Sequence, residues 1–304
     1  MNAEASARQL PYTRLVQEIE AVLREQAAVV PARLVLPLGG GGSLFVMPAA
    51  DERVAVTKLI TFTPDNGTRD LPVIQGDVVV FDVRTGQRIA VLDGPTVTAR
   101  RTAAVSVLAA RHMARRKEGP LLIVGAGVQG RAHLEAFAEV LGVREARIFS
   151  RTMASADSLV RHAQAVGMRA RSVDDPNRAL AECPLVVTTT PAQQVVMQDM
   201  PRADAFIAAV GAFTPRMCEW APEICRRLIA EGFGFVDTRD ADHEAGDLLQ
   251  AGIDIPALPA LADMVNASAA FTLLRRQRAD GPVFFKSCGW AGWDLAAARC
   301  LALA

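Results

Sequence analysis

The spacing of apolar residues changes along the chain and separates it into two parts. Between Tyr12 and Val29 apolar residues recur every three or four positions, which predicts an amphipathic helix. Short runs rich in Val, Leu, Ile and Phe follow, separated by glycine-rich or Asp-Asn-Gly turns. These runs begin at Arg33, Ser43, Arg53, Asp77 and Ile89. The first part of the chain therefore predicts a helix followed by an antiparallel sheet.

The second part begins with the alanine-rich segment from Thr98 to Lys117, which contains no glycine or proline. It predicts a long helix capped by Thr96 or Thr98. From Leu121 onward, apolar runs alternate with helical segments, and this alternation predicts βαβ units in a parallel sheet. A last strand and helix, which start at Pro282, are expected to return to the first domain.

We therefore expect an α/β protein with two domains. Residues 105–281 are predicted to form a Rossmann-type domain with a doubly wound parallel sheet. Residues 1–104 and 282–304 are predicted to form an α+β domain.

Composition limits the classes of partner. The chain has 304 residues, of which 51% are hydrophobic, and its 33 basic and 33 acidic residues cancel. This balance gives no indication of nucleic-acid or membrane binding. The five cysteines lack metal-ligand spacing, so we expect reduced thiols and no metal site. The N-terminus has no signal-peptide core and no apolar run reaches the ~20 residues of a membrane span, so we expect a cytoplasmic protein.

A glycine motif opens the second domain. Four apolar residues run directly into Gly125, Gly127 and Gly130, the G-x-G-x-x-G spacing, with Val128 and Gln129 inside it. Such glycines allow a tight turn, a close approach to a pyrophosphate and close packing of helix on strand. The helix that follows presents free N–H groups to the phosphates. The motif predicts a dinucleotide site.

Several segments, in the correct order along almost the whole chain, resemble the ornithine cyclodeaminase/mu-crystallin family. They are Met47–Ala49, Lys58–Ile60, Arg100–Ser106, Val124–Gly130, Ser150–Thr152, Val210–Ala212 and Lys286–Gly289 with Asp294. The resemblance implies a homodimer in which the first domain supplies the subunit interface and the substrate pocket. It also implies an NAD(P)-binding second domain and an active site in the cleft between the two domains.

The resemblance implies that Arg33, Lys58 and Arg101 bind the substrate carboxylate. A guanidinium binds a carboxylate through two hydrogen bonds, and a lysine adds a mobile donor. Lys58 is also a candidate proton donor, and the residues alone do not separate the two roles. The alternative is that Arg33 and Lys58 point outward from strands and that Arg101 is a solvated arginine near a helix end.

Two departures from the family pattern narrow the reaction. Cyclodeaminases of this family carry an aspartate where this chain has Phe213, and a second acidic position is Phe45 here. Phenylalanine cannot accept a proton or hold an ammonium group by charge. The chain therefore resembles the cyclic ketimine reductases, which reduce Δ1-pyrroline-2-carboxylate and Δ1-piperideine-2-carboxylate to L-proline and L-pipecolate. The alternative is that both phenylalanines are core residues.

Other functions remain open on the same scaffold. They are an ornithine or lysine cyclodeaminase, an amino-acid dehydrogenase, and a crystallin-like ligand-binding protein without enzyme activity. A non-enzymatic role would tolerate loss of the basic residues that bind the carboxylate. Their retention argues for an enzyme.

The segment after the second strand of the Rossmann-type domain indicates the cofactor. An NAD site usually has Asp or Glu there, whereas this chain has Ser150, Arg151 and Thr152. These residues can bind a 2′-phosphate, so we expect NADPH, with weaker use of NADH. The resemblance also implies cofactor contacts from Thr188, Thr189 and Thr190, and from Val210 beside the nicotinamide. The alternative for these four residues is an ordinary strand end.

Overall fold

The computed structural model describes residues 1–69, 71–191, 193–277 and 280–302. The chain divides into two compact units, one formed by Met1–Ala104 with the segment from Trp290 onward, the other by Val105–Gly289. Residues 192, 278 and 279 of the predicted Rossmann-type domain, and residues 70, 303 and 304 of the predicted α+β domain, lie outside the described residues.

The described residues form helices and strands with the following bounds. The strands are β1 (Leu34–Pro37), β2 (Ser43–Ala50), β3 (Val54–Phe62), β4 (Ile74–Asp82), β5 (Arg88–Asp93), β6 (Leu121–Val124), β7 (Glu145–Phe149), β8 (Arg169–Ser172), β9 (Leu185–Thr188), β10 (Phe206–Ala209), β11 (Phe233–Val236) and β12 (Val283–Lys286). The helices are α1 (Ala3–Arg8), α2 (Tyr12–Glu25), α3 (Gly94–Met113), α4 (Val128–Leu141), α5 (Met153–Ala165), α6 (Pro176–Ala179), α7 (Pro222–Glu231), α8 (Gly246–Gln250), α9 (Leu261–Val265), α10 (Ala269–Gln277) and α11 (Ala291–Ala302).

The first unit is built on an antiparallel sheet in which β1 to β5 pair in chain order. Buried and more exposed residues alternate along most of β3, so one face of the sheet is covered and the other is not. The helices α2 and α11 pack on each other, and α11 also packs on β3. The expected helix and antiparallel sheet are confirmed.

The start of α3 differs from the expectation. The helix begins at Gly94, and its first turn is capped by Asp93 rather than by Thr96 or Thr98. The Asp93 carboxylate accepts the N–H of Thr96 at 2.9 Å and its hydroxyl at 2.5 Å. Thr96 lies inside the first turn of the helix, so it donates to the capping residue Asp93 and is not itself the cap.

The second unit is built on a parallel sheet of seven strands, in the order β11-β12-β10-β9-β6-β7-β8. The strands β6, β9 and β10 are buried along their whole length, as expected when helices cover both faces. The direction of strand order reverses between β6 and β9, and ligands of such sheets bind at the carboxyl ends of the strands at that point. The expected Rossmann-type sheet is confirmed.

The last strand does not return to the first unit as expected. β12 lies between β10 and β11 and pairs with both in parallel. Its four residues are all buried, which is possible because it is an interior strand of a covered sheet. The second unit therefore extends to Gly289, and only the segment from Trp290 onward belongs to the first unit.

Within the described ranges, no helix is long and apolar enough to cross a membrane. Within the same ranges, no three His, Cys, Asp or Glu side chains are grouped so that they could hold a metal ion.

Candidate active site

The glycine motif forms the turn between β6 and α4. Gly125 follows the buried strand with a φ of +111°, a conformation that favours glycine. Gly127 immediately precedes the helix, so α4 begins at Val128, inside the glycine motif. Among the described residues, no side chain caps this end of α4. Its first N–H groups are therefore available to an anion.

The surroundings of the three glycines fit a bound pyrophosphate. A Cβ on Gly130 would lie 1.9 Å from the carbonyl oxygen of Gly125, so only glycine lets the helix approach the loop. A Cβ on Gly125 would lie 2.8 Å from the Thr189 hydroxyl. A Cβ on Gly127, in contrast, would meet no described atom within 4 Å. The motif thus leaves open space beside the N-terminus of α4, where a dinucleotide phosphate binds in this fold.

Polar and basic residues follow the end of β7. Ser150 is half-buried, whereas Arg151 and Thr152 are exposed. Thr152 Oγ1 accepts the N–H of Ser155 at 3.4 Å and caps α5. In the part of the chain that the structure describes, the Arg151 guanidinium makes no hydrogen bond or ion pair. The segment thus offers a cation and two hydroxyls, and no carboxylate, beside a helix N-terminus.

The three threonines at the end of β9 form hydrogen bonds within the protein. Thr189 Oγ1 donates to the carbonyl oxygen of Gly125 at 3.1 Å and so holds the glycine loop. The hydroxyls of Thr188 and Thr190 donate to the carboxylate of Glu219 at 2.9 and 2.8 Å. Thr188 is fully buried. These hydroxyls therefore support the strand end, and the cofactor contacts expected of Thr188, Thr189 and Thr190 stay a prediction.

Glu219 also accepts backbone donors from two strand ends. The N–H of Thr190 donates to Oε1 at 2.6 Å, and the N–H of Gly211 donates to Oε2 at 2.7 Å. Gly211 follows Val210, which is buried just beyond β10. A Cβ on Gly211 would lie 2.2 Å from the carbonyl oxygen of Thr190, so the two segments come this close only because residue 211 is glycine.

A buried ion pair lies next to Glu219. Lys286 Nζ is 2.9 Å from Asp247 Oδ2, and both side chains are fully buried. Burial raises the pKa of Glu219 to about 7 and repulsion by Asp247 adds to this, while the Lys286 charge and the Thr190 bonds oppose it. Burial alone would lower the pKa of Lys286, but attraction by Asp247 outweighs it and the pKa is raised.

The first unit contains a second cluster of buried charges. Lys58 Nζ lies 2.9 Å from Asp294 Oδ2, and Arg101 Nε lies 3.4 Å from Asp294 Oδ1. Alternation along β3 turns Lys58 toward the covered face of the sheet, where α11 carries Asp294. Lys58 is 1% exposed. The alternative that Lys58 points outward is therefore wrong, and Arg101 is likewise buried.

The Lys58 ammonium is held in an unusual electrostatic environment. Burial lowers its pKa to about 8; Asp294 opposes this, and the charges of Arg101 and Arg33 add to it. Arg33 lies just before β1 and is half-buried. Lys58 and Arg101 are two cations around the single carboxylate of Asp294, and this excess of positive charge favours binding of an anionic ligand.

The two phenylalanines at the expected acidic positions are not core residues. Phe213 is 37% exposed, and Phe45 is half-buried on β2. The strand register places Met47 opposite Lys58, so Phe45, two residues before Met47, shares its sheet face with Lys58.

Sequence reasoning assigned no site role to the buried carboxylates Asp294, Glu219 and Asp247. Asp294 had a usable signal, because it is the one acidic residue described in a mostly apolar helix. Glu219 stands between Cys218 and Trp220 without any periodic pattern, so its role is visible only from the bonds it makes.

Comparison with known proteins gives a consistent result. The profile of the ornithine cyclodeaminase/mu-crystallin family matches residues 4–302. The chain is 36% identical to Δ1-pyrroline-2-carboxylate reductase 1 of Burkholderia multivorans over 310 aligned residues, 98% of this chain and 93% of that protein. It is also 36% identical to the Δ1-pyrroline-2-carboxylate/Δ1-piperideine-2-carboxylate reductase of Azospirillum brasilense, over 98% and 93% of the two chains.

A solved structure shares the fold. Δ1-Pyrroline-2-carboxylate reductase of Thermococcus litoralis, in complex with NADH and L-proline, superimposes with a TM-score of 0.86 over 98% of this chain and 95% of that one, at 23% identity. The chain belongs to the ornithine cyclodeaminase/mu-crystallin family.

Proposed function

We propose that this chain reduces small cyclic ketimines with a carboxylate on the imine carbon, using NADPH as the hydride donor. The substrates are Δ1-pyrroline-2-carboxylate, Δ1-piperideine-2-carboxylate or both, and the products are L-proline and L-pipecolate. The broader class, an NAD(P)H-dependent imine reductase, is the one to which its 36% identical relatives belong. The buried cluster of Lys58, Arg101 and Asp294 is the observation that carries the proposal.

Arg101 is the proposed anchor for the substrate carboxylate. The Asp294 carboxylate lies near Arg101 Nε, and the Nη atoms of Arg101 donate no hydrogen bond to any other described residue. Two parallel N–H donors on a rigid guanidinium match the two oxygens of a carboxylate. Arg33 adds positive charge to the same cluster. The substrate carboxylate would offset the excess positive charge that Asp294 leaves.

Lys58 is the proposed proton donor. The imine carbon takes a hydride from the reduced nicotinamide when that cofactor is bound, and the ring nitrogen takes a proton, so the imine becomes a secondary amine. A pKa of about 8 keeps Lys58 largely protonated at neutral pH and makes its proton easier to transfer than that of an ordinary lysine. Asp294 holds the ammonium in place at 2.9 Å.

The residues at 45 and 213 favour reduction over cyclodeamination. A cyclodeaminase must remove a proton from a free ammonium, which requires a base. Phe45 and Phe213 supply none, and Phe213 remains 37% exposed, so its ring is accessible to a ligand. A ketimine ring is already closed and has no ammonium to deprotonate.

The cofactor-binding side chains are proposed as follows. The turn at Gly125, Gly127 and Gly130, with Val128 and Gln129 in the first turn of α4, binds the pyrophosphate. Ser150, Arg151 and Thr152 bind the 2′-phosphate of NADPH. The Thermococcus protein was solved with NADH, so each cofactor experiment includes both nucleotides.

The direct test measures loss of reduced cofactor with both ring sizes. We expect the purified chain to oxidise NADPH in the presence of Δ1-piperideine-2-carboxylate or Δ1-pyrroline-2-carboxylate, and to oxidise NADH more slowly. The control is ornithine with catalytic NAD, from which no ammonia should be released. No oxidation of either cofactor with either ring would refute the proposal.

Replacing the carboxylate anchor should damage catalysis selectively. A charge-assisted pair in a buried site contributes about 1.5–3 kcal/mol, so Arg101→Met should lower kcat/KM for the ketimine by about 10- to 150-fold. The matched control is Arg100→Met. Arg100 donates to the carbonyl oxygen of Leu10 and stacks on Tyr12, so its loss should reduce stability but not kcat/KM. An unchanged kcat/KM for Arg101→Met would show that the carboxylate binds elsewhere.

Removing the proposed 2′-phosphate contact should change cofactor selectivity. Arg151→Ala should raise the Kd for NADPH by about tenfold or more and leave the Kd for NADH nearly unchanged, since NADH lacks the phosphate. Arg169→Ala removes an equally exposed arginine that pairs with Glu145 and should change neither value. An equal rise in the Kd for NADPH and the Kd for NADH in Arg151→Ala would show that Arg151 does not bind the 2′-phosphate.

We also propose that the chain forms a homodimer through the uncovered face of its antiparallel sheet. Leu34, Leu36, Leu59 and Ile89 are exposed by 39–50%. The strand register places Leu34 and Leu59 on the face opposite Lys58. β1 is an edge strand, and an apolar edge and face of this kind favours association with another chain.

Sedimentation equilibrium tests the dimer. The wild-type mass should be twice the 32.5 kDa of one chain. Leu34→Glu combined with Leu36→Glu should shift the mass toward one chain, because two charges would be buried without partners. Leu273→Glu, at a similarly exposed leucine of α10, is the control and should not change the mass. A monomeric wild type would refute the proposal.

A further inference from the structure

Glu219 connects two neighbouring strands beyond the point where their pairing ends. The regular pairing of β9 with β10 extends to Thr188 and Ala209. Past this point the N–H of Thr190 donates to Oε1 at 2.6 Å and the N–H of Gly211 donates to Oε2 at 2.7 Å. The carboxylate thus accepts one backbone N–H from each segment and continues the connection between the two strands.

The arrangement favours an ionised carboxylate over an amide. Each oxygen accepts a backbone N–H, a group that can only donate. The hydroxyls of Thr188 and Thr190 add one further donor to each oxygen. An amide at this position would turn its NH2 group toward one of the two backbone donors. The N–H of Thr190 would then lose the carboxylate oxygen that accepts it, or the N–H of Gly211 would keep only its longer bond to the carbonyl oxygen of Thr188, at 3.2 Å.

The backbone of Glu219 is itself fixed. Asp247 Oδ1 accepts the N–H of Glu219 at 2.6 Å and that of Trp220 at 3.0 Å. Asp247 Oδ2 lies 2.9 Å from the ammonium of Lys286, at the end of β12, which neighbours β10 in the sheet. Three adjacent strand ends are therefore tied together through Glu219, Asp247 and Lys286.

The same segment is tied to the glycine loop. Thr189 lies between the two threonines that bind Glu219, and its N–H donates to the carbonyl oxygen of Val124 at 2.8 Å. Its hydroxyl donates to the carbonyl oxygen of Gly125 at 3.1 Å. Residues 188–190 consequently hold the glycine loop on one side and, through Glu219, the Val210–Gly211 segment on the other.

We propose that Glu219 is a positioning residue that sets the Val210–Gly211 segment against the glycine loop and thereby orients the nicotinamide half of the cofactor. The inference rests on the proposed function and on the expectation, implied by the family resemblance, that Val210 lies beside the nicotinamide. Glu219 does not touch the substrate. It acts through the two segments whose N–H groups it accepts.

The test separates the two halves of the cofactor. Glu219→Gln is titrated with NADPH and with 2′-phospho-ADP-ribose, which is NADPH without its nicotinamide. We expect the Kd for NADPH to rise about tenfold and the Kd for the fragment to change by less than about twofold. The fluorescence of bound NADPH should move toward that of free NADPH, and kcat should fall by about 100-fold. If NADH proves to be the preferred cofactor, NADH and ADP-ribose are used instead.

Controls separate positioning from folding. Glu182→Gln replaces a surface glutamate that pairs with Arg147 and Arg171, and it should change neither Kd. Thr190→Val removes one hydroxyl donor and keeps the N–H. Thr190→Val should raise the Kd for NADPH by about two- to threefold and leave the Kd for 2′-phospho-ADP-ribose unchanged. This variant supplies the test if Glu219→Gln does not fold.

The results decide the inference without an imine substrate. Equal weakening of NADPH and the fragment would mean that Glu219 only maintains the fold, and unchanged NADPH binding would mean that it does not orient the nicotinamide. Either result overturns the inference. A wild type that binds NADPH but reduces no ketimine would instead refute the proposed function.

Discussion

In each of the two units, the candidate site residues depend on the burial of one carboxylate. A buried carboxylate is stable only when its oxygens meet donors or cations, so it fixes the position of every group that satisfies it. In the second unit Glu219 meets four donors from the ends of β9 and β10. In the first unit Asp294 meets Lys58 and Arg101. The elements around each carboxylate cannot shift without leaving a buried charge unpaired.

Glu219 is stabilised by hydrogen-bond donors and Asp294 by cations, and this difference suits the two carboxylates to different roles. Glu219 accepts backbone N–H groups and threonine hydroxyls at the ends of β9 and β10, so it holds these two strand ends together. Asp294 is matched by cations that exceed it in charge, and its contact with Arg101 is long, at 3.4 Å. A cluster with spare positive charge and loosely held donors can exchange partners when an anion arrives. The first arrangement is suited to positioning and the second to binding.

Much of the fold could be predicted because it depends on local pattern. The alternating strands of the antiparallel sheet, the buried strands of the parallel sheet and the glycine turn follow from apolar spacing and backbone geometry. The strand β12 was assigned to the wrong unit because a short apolar run indicates a buried strand without indicating which sheet it joins. Arg101 and Lys58 could be located by resemblance, but their partner Asp294 lies 236 residues from Lys58 along the chain, so no local pattern links them.

The two buried groups with shifted pKa values also limit the conditions under which the site keeps its charges. Glu219 accepts two backbone N–H groups as a carboxylate, and because burial raises its pKa it loses that charge at a higher pH than an exposed glutamate would. In its proposed role as proton donor Lys58 must be protonated, and with a pKa of about 8 it loses its proton as the pH rises above that value. Burial is the first cause of both shifts, and it moves the two values toward each other because it penalises an anion and a cation alike. Burial of Glu219 and Lys58 therefore strengthens the hydrogen bonds and ion pairs of these two side chains. It also narrows the range of pH over which both carry the charge that their roles require.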